Sequence, residues 1–239
     1  IQNLLDNEII ISSSKIDNEQ VQPASLDLSL GNKAWRVKSS FLPGTKNKVT
    51  DKISRLAMHE IDLTNGAVLE KGCVYIAEIS EFLNLESDVS ASANPKSSTG
   101  RLDIFTRLIV DYANEFENVK LGYNGPLYIE ISPRTFSILV KSGTRLNQIR
   151  FRRGNYLLND EDTKNLHEKV NLVSGYENFL DIRNGIPLSI DLSGGRDNLI
   201  GYRARKHADL INLENVNFYK KDPFWETVTS NDLTSEGLV

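Results

Sequence analysis

Gly122-Tyr123-Asn124-Gly125-Pro126-Leu127-Tyr128-Ile129-Glu130-Ile131-Ser132 is the stretch on which the fold turns. From Leu127 onward it alternates strictly. Leu127, Ile129 and Ile131 share one face of a strand, and Tyr128, Glu130 and Ser132 share the other. Glutamate is disfavoured in strands, so Glu130 stands out. If its face lines a cleft, partial desolvation makes the carboxylate a usable proton shuttle. If its face meets solvent, it is an ordinary outward polar residue, as alternation usually implies.

The chain around it reads the same way. Cys73–Glu78, Phe105–Val110, Phe136–Val140 and Leu146–Phe151 are further short β-branched or aromatic runs, separated by Gly, Pro, Asn and Ser. Lys141-Ser142-Gly143-Thr144 is a turn between the last two. Residues 1–11, with Leu4, Leu5, Ile9 and Ile10, predict a short amphipathic helix and turn. The expectation is a mainly β protein, a barrel or jelly-roll-like sheet with short helices.

Composition limits the function. The 239 residues are 39% hydrophobic and 25% charged, as in globular proteins, with net charge −4. That excludes a broadly basic nucleic-acid coat. No run approaches the ~18 apolar residues of a membrane helix, and Ile1–Asp6 has no signal-peptide character. Cys73 is the single cysteine, which excludes an intrachain disulfide and points to a reducing, cytoplasmic compartment. It sits between Gly72 and Val74 and reads as a small buried residue. His59, His167 and His207 are scattered, so neither a structural zinc site nor the His-x-Glu/Pro-Cys-x-x-Cys zinc-deaminase signature is present.

One repeat organises the chain. Pro23-Ala24-Ser25-Leu26-Asp27-Leu28-Ser29-Leu30-Gly31 recurs as Pro187-Leu188-Ser189-Ile190-Asp191-Leu192-Ser193-Gly194-Gly195, identical at six of nine positions. A period this long indicates tandem units. We therefore expect a first unit over 1–158, a polar linker over 159–169, and a partial second related unit over 170–239. Only 44 residues follow Gly195, and neither the loop described next nor a strand glutamate recurs there. Phe218, Phe224 and Trp225 would need cover from the first unit or another subunit.

Asn94-Pro95-Lys96-Ser97-Ser98-Thr99-Gly100-Arg101 concentrates two cations, three hydroxyls and, through Pro95 and Gly100, an unusual backbone path. A triphosphate needs such donors. The segment is not a Walker A loop, and an ordinary solvated loop has the same composition. Arg134–Arg153 carries six cations and no acid. It reads as a nucleotide-phosphate or nucleic-acid face, a subunit contact or a solvated edge, with Phe136 and Phe151 in the core.

These segments together resemble the metal-independent dCTP deaminases of the dUTPase superfamily. Gln22–Gly31 is similar to the family's first motif, and Lys96-Ser97-Ser98-Thr99-Gly100-Arg101 to its Lys/Arg-Ser-Ser-x-Ala/Gly-Arg motif. Gly122–Glu130 resembles its glutamate strand, and Gly143–Phe151 its later Gly-x-Arg-hydrophobic-x-Gln strand. The second unit resembles that of a longer bacterial subgroup. The usual Asp-Pro-Gly-Trp-like turn is replaced by a longer Asn114–Tyr123 segment in which Glu117 stands where an acid is expected.

The resemblance implies a distorted dUTPase-like β-barrel, a homotrimer with sites between subunits, and dCTP as substrate. Glu130 would be general base and then acid, Ser97 would hold the water, and Arg101 would stabilise developing charge. Lys96, Ser98, Thr99 and Gly100 would hold phosphates, with Mg²⁺ carried on the triphosphate and no zinc. Tyr128 and Ile129 would offer backbone contacts, and Gln148 would lie near the substrate. No nucleic acid or membrane partner is implied. The alternatives are a dUTPase or bifunctional deaminase–dUTPase, for which Asp111 is the available water-activating acid, and a non-catalytic trimeric nucleotide-binding module.

Overall fold

The computed structural model describes residues 1–154, 158–174, 181–189, 193–195 and 197–232. In chain order, helix α1 (Gln2–Asp6) and strands β1 (Ile10–Ser12) and β2 (Leu26–Val37) come first. Helix α2 (Val49–Leu56) leads into β3 (Ala57–Asp62), β4 (Ala67–Leu69), β5 (Val74–Asn84) and β6 (Val89–Pro95). Helix α3 (Ser97–Arg101) precedes β7 (Ile104–Val110), β8 (Asn118–Val119), β9 (Asn124–Pro133), β10 (Ile138–Val140) and β11 (Arg145–Arg153). Helix α4 (Asp160–Val170), β12 (Leu199–Ala204), β13 (Ile211–Asn212) and β14 (Trp225–Thr229) complete the chain's described elements with a final 3₁₀ turn.

Two compact units result. The first comprises residues 1–154 with 206–224, and the second 155–205 with 225–239. In the first, a nine-stranded sheet runs β7-β9-β5-β2-β11-β6-β8, with β1 added on β5 and β3 on β2. The five runs expected from sequence correspond to β5, β7, β9, β10 and β11. Strand β2, which contains the first copy of the repeated motif, is completely buried from Leu26 to Gly31. The predicted N-terminal helix is shorter than its apolar pattern: Ile10 belongs to β1 and pairs with Leu83.

One residue bridges the gap that leaves the barrel nearly closed. Glu117, in the left-handed region at φ 64°, donates its amide to the Leu108 carbonyl (3.0 Å) and accepts from the Ala93 amide (2.9 Å), bridging β7 and β6. Its carboxylate also accepts from the Leu108 amide at 2.8 Å. Leu26, Leu28, Leu30, Ile76, Leu108, Ile129 and Ile131 are buried in this barrel. Burial of such side chains contributes about 1.5–3 kcal/mol each and is the main source of its stability.

A smaller sheet, β13-β10-β4, joins residues 206–224 to the same unit. Its β13 pairs in parallel with β10. Phe224 is buried edge-on against Phe136 (5.6 Å) and Tyr219 (5.3 Å), so its cover comes from within this unit. Phe218 stays exposed, with its ring edge-on to Tyr219.

In the second unit the polar stretch expected as a linker is largely helix α4. Asn159 caps it by accepting from the Asp162 amide (2.8 Å), three acids occupy the first turn, and His167 and Lys169 occupy the last. Both ends complement the helix dipole. Strands β12 and β14 form an antiparallel ribbon. Of the second motif copy, Ile190, Asp191 and Leu192 lie outside the described residues.

Cys73 departs from expectation. It is half-buried at the start of β5, where the Arg36 guanidinium donates to Sγ at 3.2 Å. The turn after Lys71 leaves it at the rim of the sheet.

Candidate active site

Glu130 lies midway along β9, opposite Ile76 of β5 and Arg107 of β7. Tyr128, Glu130 and Ser132 are 6%, 1% and 2% exposed, so both faces of β9 are covered and the outward-polar alternative falls. A buried carboxylate needs compensation, and Arg107 supplies it. The guanidinium donates from Nη2 (2.7 Å) and Nε (3.1 Å), both to Oε1. Oε2 is buried with no partner. Arg107 is itself held by Ser40 Oγ (2.7 Å) and by the rings of Phe116 (3.5 Å) and Phe105 (4.9 Å).

Arg107 was not among the residues anticipated from sequence. The available signal was the one that marked Glu130: a lone charge in an apolar strand, here Ile104-Phe105-Thr106-Arg107-Leu108.

The hydroxyl-rich loop is a short helix, α3, and Gly100 takes part in it without a positive φ. The unusual path expected of Gly100 is therefore absent. A Cβ there would meet nothing within 4 Å. Ser97, Ser98 and Arg101 are exposed. Thr99 is different: it is buried, and its hydroxyl donates to the Leu146 carbonyl at 2.9 Å, fastening α3 to β11. Its side chain is thus an anchor, which leaves the backbone of the loop for the phosphate contact expected there.

Lys96 is engaged as well. It pairs with Asp27, a 3%-exposed carboxylate on β2. Gln148 lies opposite Asp27 in the β2–β11 ladder and opposite Asn94 in the β6–β11 ladder, and it accepts from Ser25 Oγ at 2.9 Å. The first motif, the loop lysine and Gln148 therefore form one cluster. Glu81 fixes the motif from beneath, accepting from Gln20 Nε2 and the Ser29 amide, each at 2.9 Å. Burial pushes its carboxyl up from the usual range.

Tyr128 and Ile129 occur where β9 is paired on both sides, with β5 and with β7. Burial drives the Tyr128 phenol up to about 12. Asp111 is committed elsewhere: it accepts from the Val49 amide (2.8 Å) at the start of α2. The basic stretch is partly neutralised, with Lys141 on Glu214, Arg145 on Asp17, and Arg153 on Glu86 and Asp88. Arg134 stacks over Phe105.

A second, half-buried acid lies on the other side of β7. The Glu117 carboxylate accepts from the Leu108 amide, and burial outweighs that bond and the more distant Arg107 charge, pushing its carboxyl up to about 7. Asn147 is fully buried and accepts from Thr106 Oγ1. Glu117 Oε2 and Asn147 Nδ2 have no partner.

These groups are held in a nearly closed β-barrel. Residues 1–155 match the family model for the 2'-deoxycytidine 5'-triphosphate deaminase N-terminal domain, and residues 159–239 match that for its C-terminal domain. The chain belongs to the dCTP deaminase family. The crystal structure of 2'-deoxycytidine 5'-triphosphate deaminase from Agrobacterium tumefaciens is 51% identical, with a TM-score of 0.86 over 95% of this chain and 68% of that one. A dUMP-forming dCTP deaminase of Methanosphaera stadtmanae is 26% identical over 195 residues, 77% of this chain and 95% of the relative. Another from Beutenbergia cavernae is 25% identical over 144 residues, 60% of this chain and 71% of the relative.

Proposed function

We propose that this protein hydrolyses dCTP to dUTP and ammonia, supplying deoxyuridine nucleotide for pyrimidine synthesis. The observation that carries the reading is Glu130, a buried strand carboxylate with one oxygen paired to Arg107 and the other free, in a chain of the dCTP deaminase family.

In this mechanism Glu130 takes a proton from water as the water oxygen bonds to C4 of cytosine. The proton passes to N3, and a second transfer to the exocyclic nitrogen lets the C4–N bond break and ammonia leave. General acid–base catalysis of this kind contributes about 10²–10⁴-fold. Ser97 positions the water, and Arg101 faces the charge that develops; both are exposed in the single chain and available to a substrate bound between subunits. Ser98 and the backbone at Gly100 receive phosphate, with Lys96 beside them. Gln148 borders the nucleotide.

Mg²⁺ would be carried by the bound triphosphate and would supply neutralising charge there, with Lys96 and Ser98 beside the phosphates. The assembly is a homotrimer with shared sites, and the compartment is the cytoplasm. No described helix is long and apolar enough to cross a membrane.

The test is incubation with dCTP and Mg²⁺ and chromatographic identification of the products. dUTP with one equivalent of ammonia supports the reading. dUMP with pyrophosphate would establish the bifunctional reaction, and unchanged dCTP would defeat the proposal.

A further inference from the structure

We propose that Arg107 is a positioning residue that sorts the two oxygens of Glu130, holding Oε1 so that Oε2 alone carries the proton. The inference rests on the deaminase reading and extends it.

An arginine usually meets a carboxylate fork to fork, with one N–H on each oxygen. Here both donors fall on Oε1, at 2.7 and 3.1 Å. Oε2 is buried without a partner. An unpaired buried acceptor is costly and marks a place where a polar molecule belongs. Ser132 Oγ, on the same face of β9, is also buried and unpartnered. The two orphaned atoms lie on the strand where the proposed reaction needs its water.

The guanidinium is fixed independently of Glu130. Phe116 stacks at 3.5 Å, Phe105 at 4.9 Å, and Ser40 Oγ accepts from Nη2 at 2.7 Å. A cation held against two rings and a hydroxyl is a rigid reference, so it fixes the torsion of the carboxylate as well as balancing its charge. The consequence is directional. Oε1 is occupied by two donors throughout, whereas Oε2 can accept a proton and return it from the same fixed position.

The test uses Arg107→Ala and Arg107→Lys in the full chain, with fold checked by circular dichroism. For Arg107→Ala we expect kcat for dCTP to fall roughly 10²-fold while KM changes less than about threefold. Millimolar guanidinium should recover at least a tenth of the lost rate, because the Phe105–Phe116 slot remains. Arg107→Lys keeps the charge but not the two-donor fork, and should lose roughly tenfold in kcat without guanidinium rescue; it carries the test if the alanine variant does not fold. Unchanged kcat in a folded variant, or a loss confined to KM, would overturn the inference while leaving wild-type deamination intact. Absence of dCTP turnover in the wild type would overturn the deaminase reading and this inference with it.

Discussion

Two carboxylates flank β7 and are handled in opposite ways. Glu130 is almost completely buried and meets a guanidinium on the neighbouring strand. Glu117 is less buried, bridges the barrel seam with its backbone, and takes a hydrogen bond from the Leu108 amide instead of a guanidinium. At Glu117 burial outweighs the Leu108 amide and the more distant Arg107 charge, and its carboxyl rises to about 7. Burial alone thus does not mark a catalytic acid in this fold. Under the proposed mechanism, a guanidinium hydrogen-bonded to one oxygen distinguishes the proton-cycling Glu130 from Glu117, which bridges the sheet.

The sharpest way to break this contrast is to remove each charge in turn. Glu130→Gln should lower dCTP turnover by about 10²–10⁴-fold, whereas Glu117→Gln should keep it within tenfold of wild type. Steady-state ammonia release checks both. Equal losses would erase the distinction.

Stability should show the reverse order. Glu117 titrates near 7 when folded, against an ordinary value of 4.5. A carboxyl raised on folding contributes stability that is fully present below about pH 4.5 and lost as pH rises through 7. Because the residue is partly exposed, we expect the loss to be on the order of 1–3 kcal/mol. Glu117→Gln should abolish that part of the pH dependence and be the more stable protein at pH 8, as urea titrations at pH 5 and 8 would reveal.

Smaller effects refine the picture. Thr106→Val leaves Asn147 Oδ1 without its donor inside the barrel and should cost about 1–2 kcal/mol in chemical denaturation. Arg153→Ala removes an exposed cation from Glu86 and Asp88 and should change stability by less than about 0.5 kcal/mol.

How far the sequence speaks depends on how local the determinant is. Glu130 was visible because its oddity lies within six residues of strict alternation. The strands β7, β9 and β11 were legible for the same reason. Arg107 needed the β7–β9 register before its partner could be named, and Lys96 needed Asp27 from 69 residues earlier. Thr99 shares its loop with Ser97 and Ser98, yet the helical turn of α3 directs it inward. Helix α2 escaped notice because only Val49 and Ile53 of its eight residues are buried. Glu117 drew attention as an acid in an altered turn, but its part in bridging the barrel seam depends on Ala93 and Leu108, which no local pattern joins to it.

The central claim, hydrolytic attack on the cytosine ring by a water that Glu130 activates, is tested most directly by one turnover of dCTP in ¹⁸O-water. The account predicts one ¹⁸O in the uracil ring of dUTP, none in the phosphates, and one ammonia per dCTP consumed. Label in phosphate with the cytosine ring intact, or loss of dCTP without ammonia, would contradict it.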